Sequence, residues 1–124
     1  MNYYICPVCK KIVEVIKDSP VPLICCGKPM EKLEANTTDG AFEKHVPVIE
    51  MELNQVTVRV GSVNHPMLDV HYIEWITIET KQGTQTKYLK PGQEPKAVFT
   101  LADGDSVIAA YEYCNLHGLW KKDK

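Results

Sequence analysis

Five cysteines and four histidines in this 124-residue chain are the side chains best able to hold a metal. Their spacing sorts them into two sets. Cys6, Cys9, Cys25 and Cys26 crowd the N-terminus as Cys-Pro-Val-Cys, then residues 10–24, then Cys-Cys. His45, His65, His71, Cys114 and His117 are spread over the remainder, and no Cys or His is left over. Thiolates favour soft ions, whereas imidazoles suit zinc, copper, iron and nickel. Four thiolates, and four imidazoles with one thiolate, therefore imply two different metal chemistries.

In the N-terminal set, Cys-x-x-Cys lets two thiolates of one tight turn chelate a single ion, and a second pair completes a tetrahedron. Here the second pair has no spacer. Adjacent side chains tend to diverge, so placing both on one ion predicts distorted tetrahedral angles. The competing readings are a strained Cys25–Cys26 disulfide or four free thiols. The odd cysteine count and a reducing compartment weigh against disulfides. A site of four cysteines suits either zinc or a lone iron.

In the second set each histidine taken singly carries little information. Together they do more. His65-Pro66-Met67-Leu68-Asp69-Val70-His71 places two imidazoles across a turn, and Cys114-Asn115-Leu116-His117 places a thiolate and an imidazole in one loop after a strand. Five N/S donors exceed the four that close a structural zinc site. On an octahedral ion they leave one open position, where substrate chemistry can occur. Two readings compete. The Cys114–His117 loop resembles the ligand loop of blue-copper electron carriers, which use two His, one Cys and a weak axial Met. Yet Gly118-Leu119-Trp120-Lys121 follows, with no Met, and two histidines stay unexplained. The rival is a non-haem iron with mostly imidazole ligands and one electron-donating thiolate.

The elements that must position these ligands read as follows. Residues 1–36 form a short unit with Pro7, Pro20, Pro22 and Pro29 and one strand over Lys11–Ile16. So short a segment needs a metal staple to fold. Asn36-Thr37-Thr38-Asp39-Gly40 is polar and turn-forming, which marks a linker, with residues 37–124 as the second domain. There Ile49, Met51 and Leu53 alternate with polar residues, and then Val56, Val58 and Val60 do so one phase later. The slip predicts a bulge or bend near Asn54–Gln55. Further strands are expected over 71–81, 84–89, 97–101 and 106–113, with no helical periodicity. The expectation is an all-β chain whose second domain is a sandwich of seven short strands. The formal net charge is −2 and no basic stripe is present, so nucleic acid is not expected as a partner. No apolar run approaches the ~20 residues of a membrane span, and no secretory leader is visible. The reading is a cytoplasmic protein with a solvated Lys121–Lys124 tail.

Taken together, Cys6-x-x-Cys9 with Cys25-Cys26, Glu43-Lys44-His45-Val46-Pro47, His65-Pro66-Met67, His71-Tyr72-Ile73-Glu74-Trp75 and Cys114-Asn115-x-His117-Gly118-x-Trp120 closely resemble desulfoferrodoxin, the two-iron class of superoxide reductase. The resemblance implies a small desulforedoxin-like (rubredoxin-like) N-terminal domain and an immunoglobulin-like β-sandwich. It implies two iron ions: Fe(Cys)4 at Cys6, Cys9, Cys25 and Cys26, and a square-pyramidal iron with His45, His65, His71 and His117 in the plane and Cys114 axial. Zinc or another metal remains an option at the first site. The implied activity is one-electron reduction of superoxide to hydrogen peroxide, with rubredoxin or a similar donor and a homodimeric assembly. Lys44 would draw in the anion and organise water for protonation, and Glu43 would fill the sixth position of the oxidised resting state.

Overall fold

A computed structural model describes residues 1–124. The chain divides into two compact units, Met1–Glu34 and Ala35–Lys124. In the first, β1 (Asn2–Ile5) pairs antiparallel with β2 (Ile12–Val15) on one side, while β3 (Ile24–Cys25) and β4 (Lys28–Pro29) form a hairpin, and β5 (Glu31–Lys32) lies on the other side of β1. Tyr3 and Cys6 are the only buried residues of this unit, and Ile16 is 97% exposed. Ordering one backbone residue costs ~1–2 kcal/mol, which two buried side chains cannot offset over such a unit. A cross-link through the four cysteines supplies what the missing core does not.

The second unit is an all-β sandwich preceded by one helical turn, α1 (Phe42–His45). Its strands are β6 (Pro47–Glu52), β7 (Gln55–Val60), β8 (Ile73–Thr80), β9 (Gly83–Tyr88), β10 (Lys96–Thr100), β11 (Val107–Cys114) and β12 (Gly118–Asp123). They form an antiparallel three-stranded sheet, β10-β7-β6, and a four-stranded one, β12-β11-β8-β9. That four-plus-three division of seven strands is the immunoglobulin-like pattern. Val56, Val58 and Val60 of one sheet pack with Ile73, Ile76, Ile78 and Ala110 of the other, and Ala97 and Phe99 fill the gap beside them. Fully burying a Val, Ile or Phe side chain contributes ~1.5–3 kcal/mol, so this cluster holds the sheets together. No helix is long and apolar enough to cross a membrane.

Two local expectations are corrected. The phase slip at Asn54–Gln55 is not a bulge. It is a two-residue hairpin loop, Leu53-Asn54, with Leu53 at φ +55 and Glu52 paired to Gln55. Residues directly opposite each other share a face, and here Ile49 meets Val58 and Met51 meets Val56. An odd-numbered face must therefore continue as an even-numbered one across the turn. The second correction is α1 itself, since a single turn is too short to show a period in the sequence.

The turn α1 is clamped from outside. The Glu43 carbonyl accepts hydrogen bonds from the Val63 N–H at 2.8 Å and the Ser62 hydroxyl at 3.3 Å. Gly61 lies so close that an added Cβ would stand 2.6 Å from the Glu43 oxygen and 3.0 Å from the Val46 oxygen. Because both neighbours are backbone, neither can swing aside. Gly61→Ala is expected to cost ~1–3 kcal/mol, as overpacking does, and to displace His45. Thermal unfolding and metal content check this: an unchanged Tm with full metal at the second set would show that the clamp yields.

Candidate functional site

The sequence-predicted ligands converge in two clusters, Cys6–Cys9–Cys25–Cys26 and His45–His65–His71–Cys114–His117. The ligand atoms of each cluster lie within 4.8 Å of one another. In the first, Cys9 Sγ and Cys25 Sγ are 3.7 Å apart, and Cys25 Sγ and Cys26 Sγ 3.9 Å. Metal–sulfur bonds of ~2.3 Å at tetrahedral angles place sulfurs about 3.8 Å apart, so the set fits a tetrahedral ion. Two left-handed residues make the adjacent pair workable. Cys26 at φ +52 and Gly27 at φ +71 turn the backbone so that neighbouring side chains converge.

Backbone N–H groups of Val8 and Cys9 donate to Cys6 Sγ, both at 3.4 Å. The Cys9 N–H leads in lowering the Cys6 thiol to about 6. Cys25 is pushed up to about 12, chiefly because it shares protons with the sulfurs of Cys6 and Cys9, and Cys26 is raised for the same reason. Cys25 and Cys26 therefore hold their protons until a cation displaces them.

The second cluster sits at one end of the sandwich. His45 closes α1, His65 follows β7, His71 precedes β8, Cys114 ends β11 and His117 lies in the turn into β12. The four imidazoles form a closed ring. Centroid distances run 4.6 Å (His45–His65), 4.6 Å (His65–His71), 5.0 Å (His71–His117) and 4.7 Å (His117–His45), with neighbouring planes 72–87° apart.

Hydrogen bonds settle which nitrogens face inward. His45 Nδ1–H donates to the Ala41 carbonyl at 2.7 Å, and His65 Nδ1–H to the Pro66 carbonyl at 2.6 Å. Each Nε2 is therefore a bare lone pair, yet the two lie 3.1 Å apart. His117 Nδ1 is 3.0 Å from His45 Nε2 and 3.7 Å from Cys114 Sγ. His71 Nε2 is buried with no protein partner. Lone pairs at these separations repel unless a cation lies between them. Bonds of ~2.1 Å at right angles put adjacent nitrogens about 3.0 Å apart, which matches this set and not a tetrahedron. The residues fit an ion with imidazoles at right angles and a thiolate as fifth donor.

Burial leads in lowering His45, His65 and His71, with His65 at about 4. All three are thus neutral and ready to ligate near neutral pH. The Cys114 thiol is raised by burial, against the pull of the Leu116 and His117 N–H groups. Lys44 is exposed and adds to the lowering of His71 through its charge, while Glu43 slightly raises His45. Both flanking side chains therefore act electrostatically on the cluster.

Several supporting residues have no role assigned by the sequence reading. Asn115 staples the two ligand loops: its side chain accepts from the Tyr72 N–H at 2.9 Å and donates to the Val70 carbonyl at 3.0 Å. Trp120 is fully buried and stacks on His45 at 4.9 Å, and its indole N–H donates to the His117 carbonyl at 3.0 Å. Glu112 is fully buried on β11 opposite Ile76 and Trp120, with both carboxyl oxygens unpartnered, and burial raises its pKa well above the usual range. One acidic residue inside the apolar run Val107–Cys114 is the signal that could have found it. A groove of about 430 Å³ is lined by Phe42, Pro47, Ile49 and Lys122 among others and contains none of the ligands.

The desulfoferrodoxin family model matches residues 37–123, and the model of its N-terminal domain matches residues 1–33. The chain belongs to the desulfoferrodoxin family. It is 52% identical to a desulfoferrodoxin homolog of Archaeoglobus fulgidus, over 98% of this chain and 95% of that one. The solved superoxide reductase of Treponema pallidum aligns at 34% identity over 98% of both chains, with a TM-score of 0.84. The 1Fe superoxide reductase of Giardia intestinalis aligns at 38% identity over 66% of this chain and 97% of that one, with a TM-score of 0.56. The two clusters are consistent with the two iron sites of desulfoferrodoxin.

Two outcomes are expected. The clusters share no ligand, so Cys25→Ser should lose the first ion and retain the second; loss of both by metal analysis would overturn independence. The second ion should also respond to acid. His65 has its folded pKa below the ordinary 6.5, so the unfolded chain binds more protons between 6.5 and about 4. The site is fully formed above 6.5 and weakens as pH falls towards 4. Iron content after dialysis across that window checks the sign.

Proposed function

We propose that the protein is a superoxide reductase, converting superoxide to hydrogen peroxide with one electron and two protons and releasing no oxygen. The observation that carries this reading is the closed ring of four inward-facing imidazoles with the buried Cys114 thiolate. His45, His65, His71, His117 and Cys114 would hold the catalytic iron. When bound, that iron supplies the electron and one coordination position for a small anion. Superoxide is diatomic and needs no cavity, which agrees with a ligand cluster set apart from the groove beside Phe42. The alternative of a blue-copper-like electron carrier is not favoured, because that site uses two imidazoles and a weak Met. Here four imidazoles join one thiolate, and no Met follows His117 in the chain.

The chain's own contribution is charge and proton supply. Lys44, exposed beside His45, attracts the anion and orders water for its protonation. Steering of this kind raises on-rates by ~10–10³ and weakens with salt. Glu43 would supply a further carboxylate donor to the oxidised ion between turnovers. Residues 1–36 act as the desulforedoxin-like domain holding Fe(Cys)4, or zinc in its place, and residues 37–124 as the reductase domain. Rubredoxin or a similar one-electron carrier re-reduces the site. The protein works as a homodimer in the cytoplasm, removing a toxic oxygen species under oxidative stress. The family match supports the reductase activity and the two iron sites within this reading.

An anaerobic pulse of superoxide onto ferrous protein tests the activity. One peroxide per superoxide with matching iron oxidation is expected, whereas one peroxide per two superoxides with oxygen release indicates a dismutase. Lys44→Ala should slow the second-order encounter and flatten its fall with ionic strength. Glu43→Ala should change the ferric spectrum and leave the encounter rate nearly unaltered. Equal salt slopes in wild type and Lys44→Ala would remove Lys44 from the mechanism.

A further inference from the structure

We propose that Trp120 is a built-in electron donor that protects the second site from hydrogen peroxide. The proposal rests on the reductase reading, which produces peroxide beside a reduced metal and an oxidisable ligand, Cys114. Reducing peroxide to two waters takes two electrons and two protons. A ferrous ion gives one electron and becomes ferric. The second must come from a neighbouring group, and a thiolate is the most readily oxidised ligand present; its loss to sulfinic or sulfonic acid is not reversed by simple thiols. An indole stacked on a ligand ring offers a second source for that electron and so competes with the thiolate.

Trp120 meets that requirement. Its ring stacks on the ligand His45 at 4.9 Å and 29°. It is fully buried, and its other flank meets the exposed Phe42 ring edge-on at 5.3 Å. The indole N–H points at the His117 carbonyl. A carbonyl is no base, so the oxidised indole keeps its proton, and the negative end of that dipole steadies the positive charge. The balanced step is peroxide, two protons from water, one ferrous ion and Trp120 giving two waters, one ferric ion and the Trp120 cation radical. The one-electron carrier that serves the site then refills both. The chain's other tryptophan, Trp75, stacks on Tyr113 at 5.8 Å and 9°.

The test adds one equivalent of peroxide anaerobically to the ferrous holoprotein carrying ring-deuterated tryptophan, freeze-quenches it and records electron paramagnetic resonance. A radical signal that narrows with the deuterated label and survives Trp75→Phe is expected. Trp120→Phe should abolish it and increase Cys114 oxidation by mass spectrometry. The labelled Trp75→Phe protein carries the test even if Trp120→Phe fails to fold. Absence of a label-sensitive radical, or its loss in Trp75→Phe, overturns the proposal. So does a second electron drawn from Cys114 or the first centre. The superoxide pulse separates the two readings. A failed pulse with a labelled radical removes the reductase, whereas a normal pulse with no radical removes the donor.

Discussion

Lone pairs that face one another at about 3 Å repel, and the second unit is built to force that situation. His45 and His65 each give their Nδ1 proton to a backbone carbonyl, which leaves two bare Nε2 atoms 3.1 Å apart. His71 adds a buried nitrogen with no protein partner. A cation relieves all of this at once. The folding energy of the sandwich therefore does the preparatory work of assembling donors that would otherwise spread apart. Orientation is fixed before the ion arrives, as supporting hydrogen bonds to ligating histidines generally achieve.

The rest of the unit follows from the need to bring distant chain segments to one end. β7, β8, β11 and β12 contribute their ends there, and the Val, Ile and Phe core keeps the two sheets in register. Close packing does the fine placement. Gly61 admits the Glu43 carbonyl, Gly40 lies 3.2 Å (as a Cβ) from the His45 and Trp120 rings, and Asn115 ties one ligand loop to the other. Each contact leaves little room, so the site tolerates substitution poorly at positions that never touch the ion.

The first unit meets the opposite constraint. It has almost no core, and its order depends on a cross-link. N–H donors to Cys6 and a left-handed Cys26 accompany four sulfurs gathered within 4.8 Å of one another. The spacing of about 3.8 Å there and about 3.0 Å in the second cluster separates the two chemistries by geometry alone. Soft donors around a tetrahedron resist ligand exchange, while five donors at right angles leave a sixth direction for an anion.

By itself the sequence determined the ligand types, their division into two sets and the all-β character, because donor chemistry and period-2 alternation are local properties. It also carried the hairpin at Leu53-Asn54, visible as a phase change but open to misreading as a bulge, since parity alone does not distinguish the two. Tertiary structure decided what local patterns cannot encode. The cyclic order of the imidazoles, the inward choice of Nε2 or Nδ1, and the convergence of Cys25 with Cys26 depend on backbone turns and partner carbonyls. The stacking of Trp120 on His45 and the burial of Glu112 arise from packing between strands remote in sequence. α1 exists because residues 61–63 clamp it, not because four residues favour a helix.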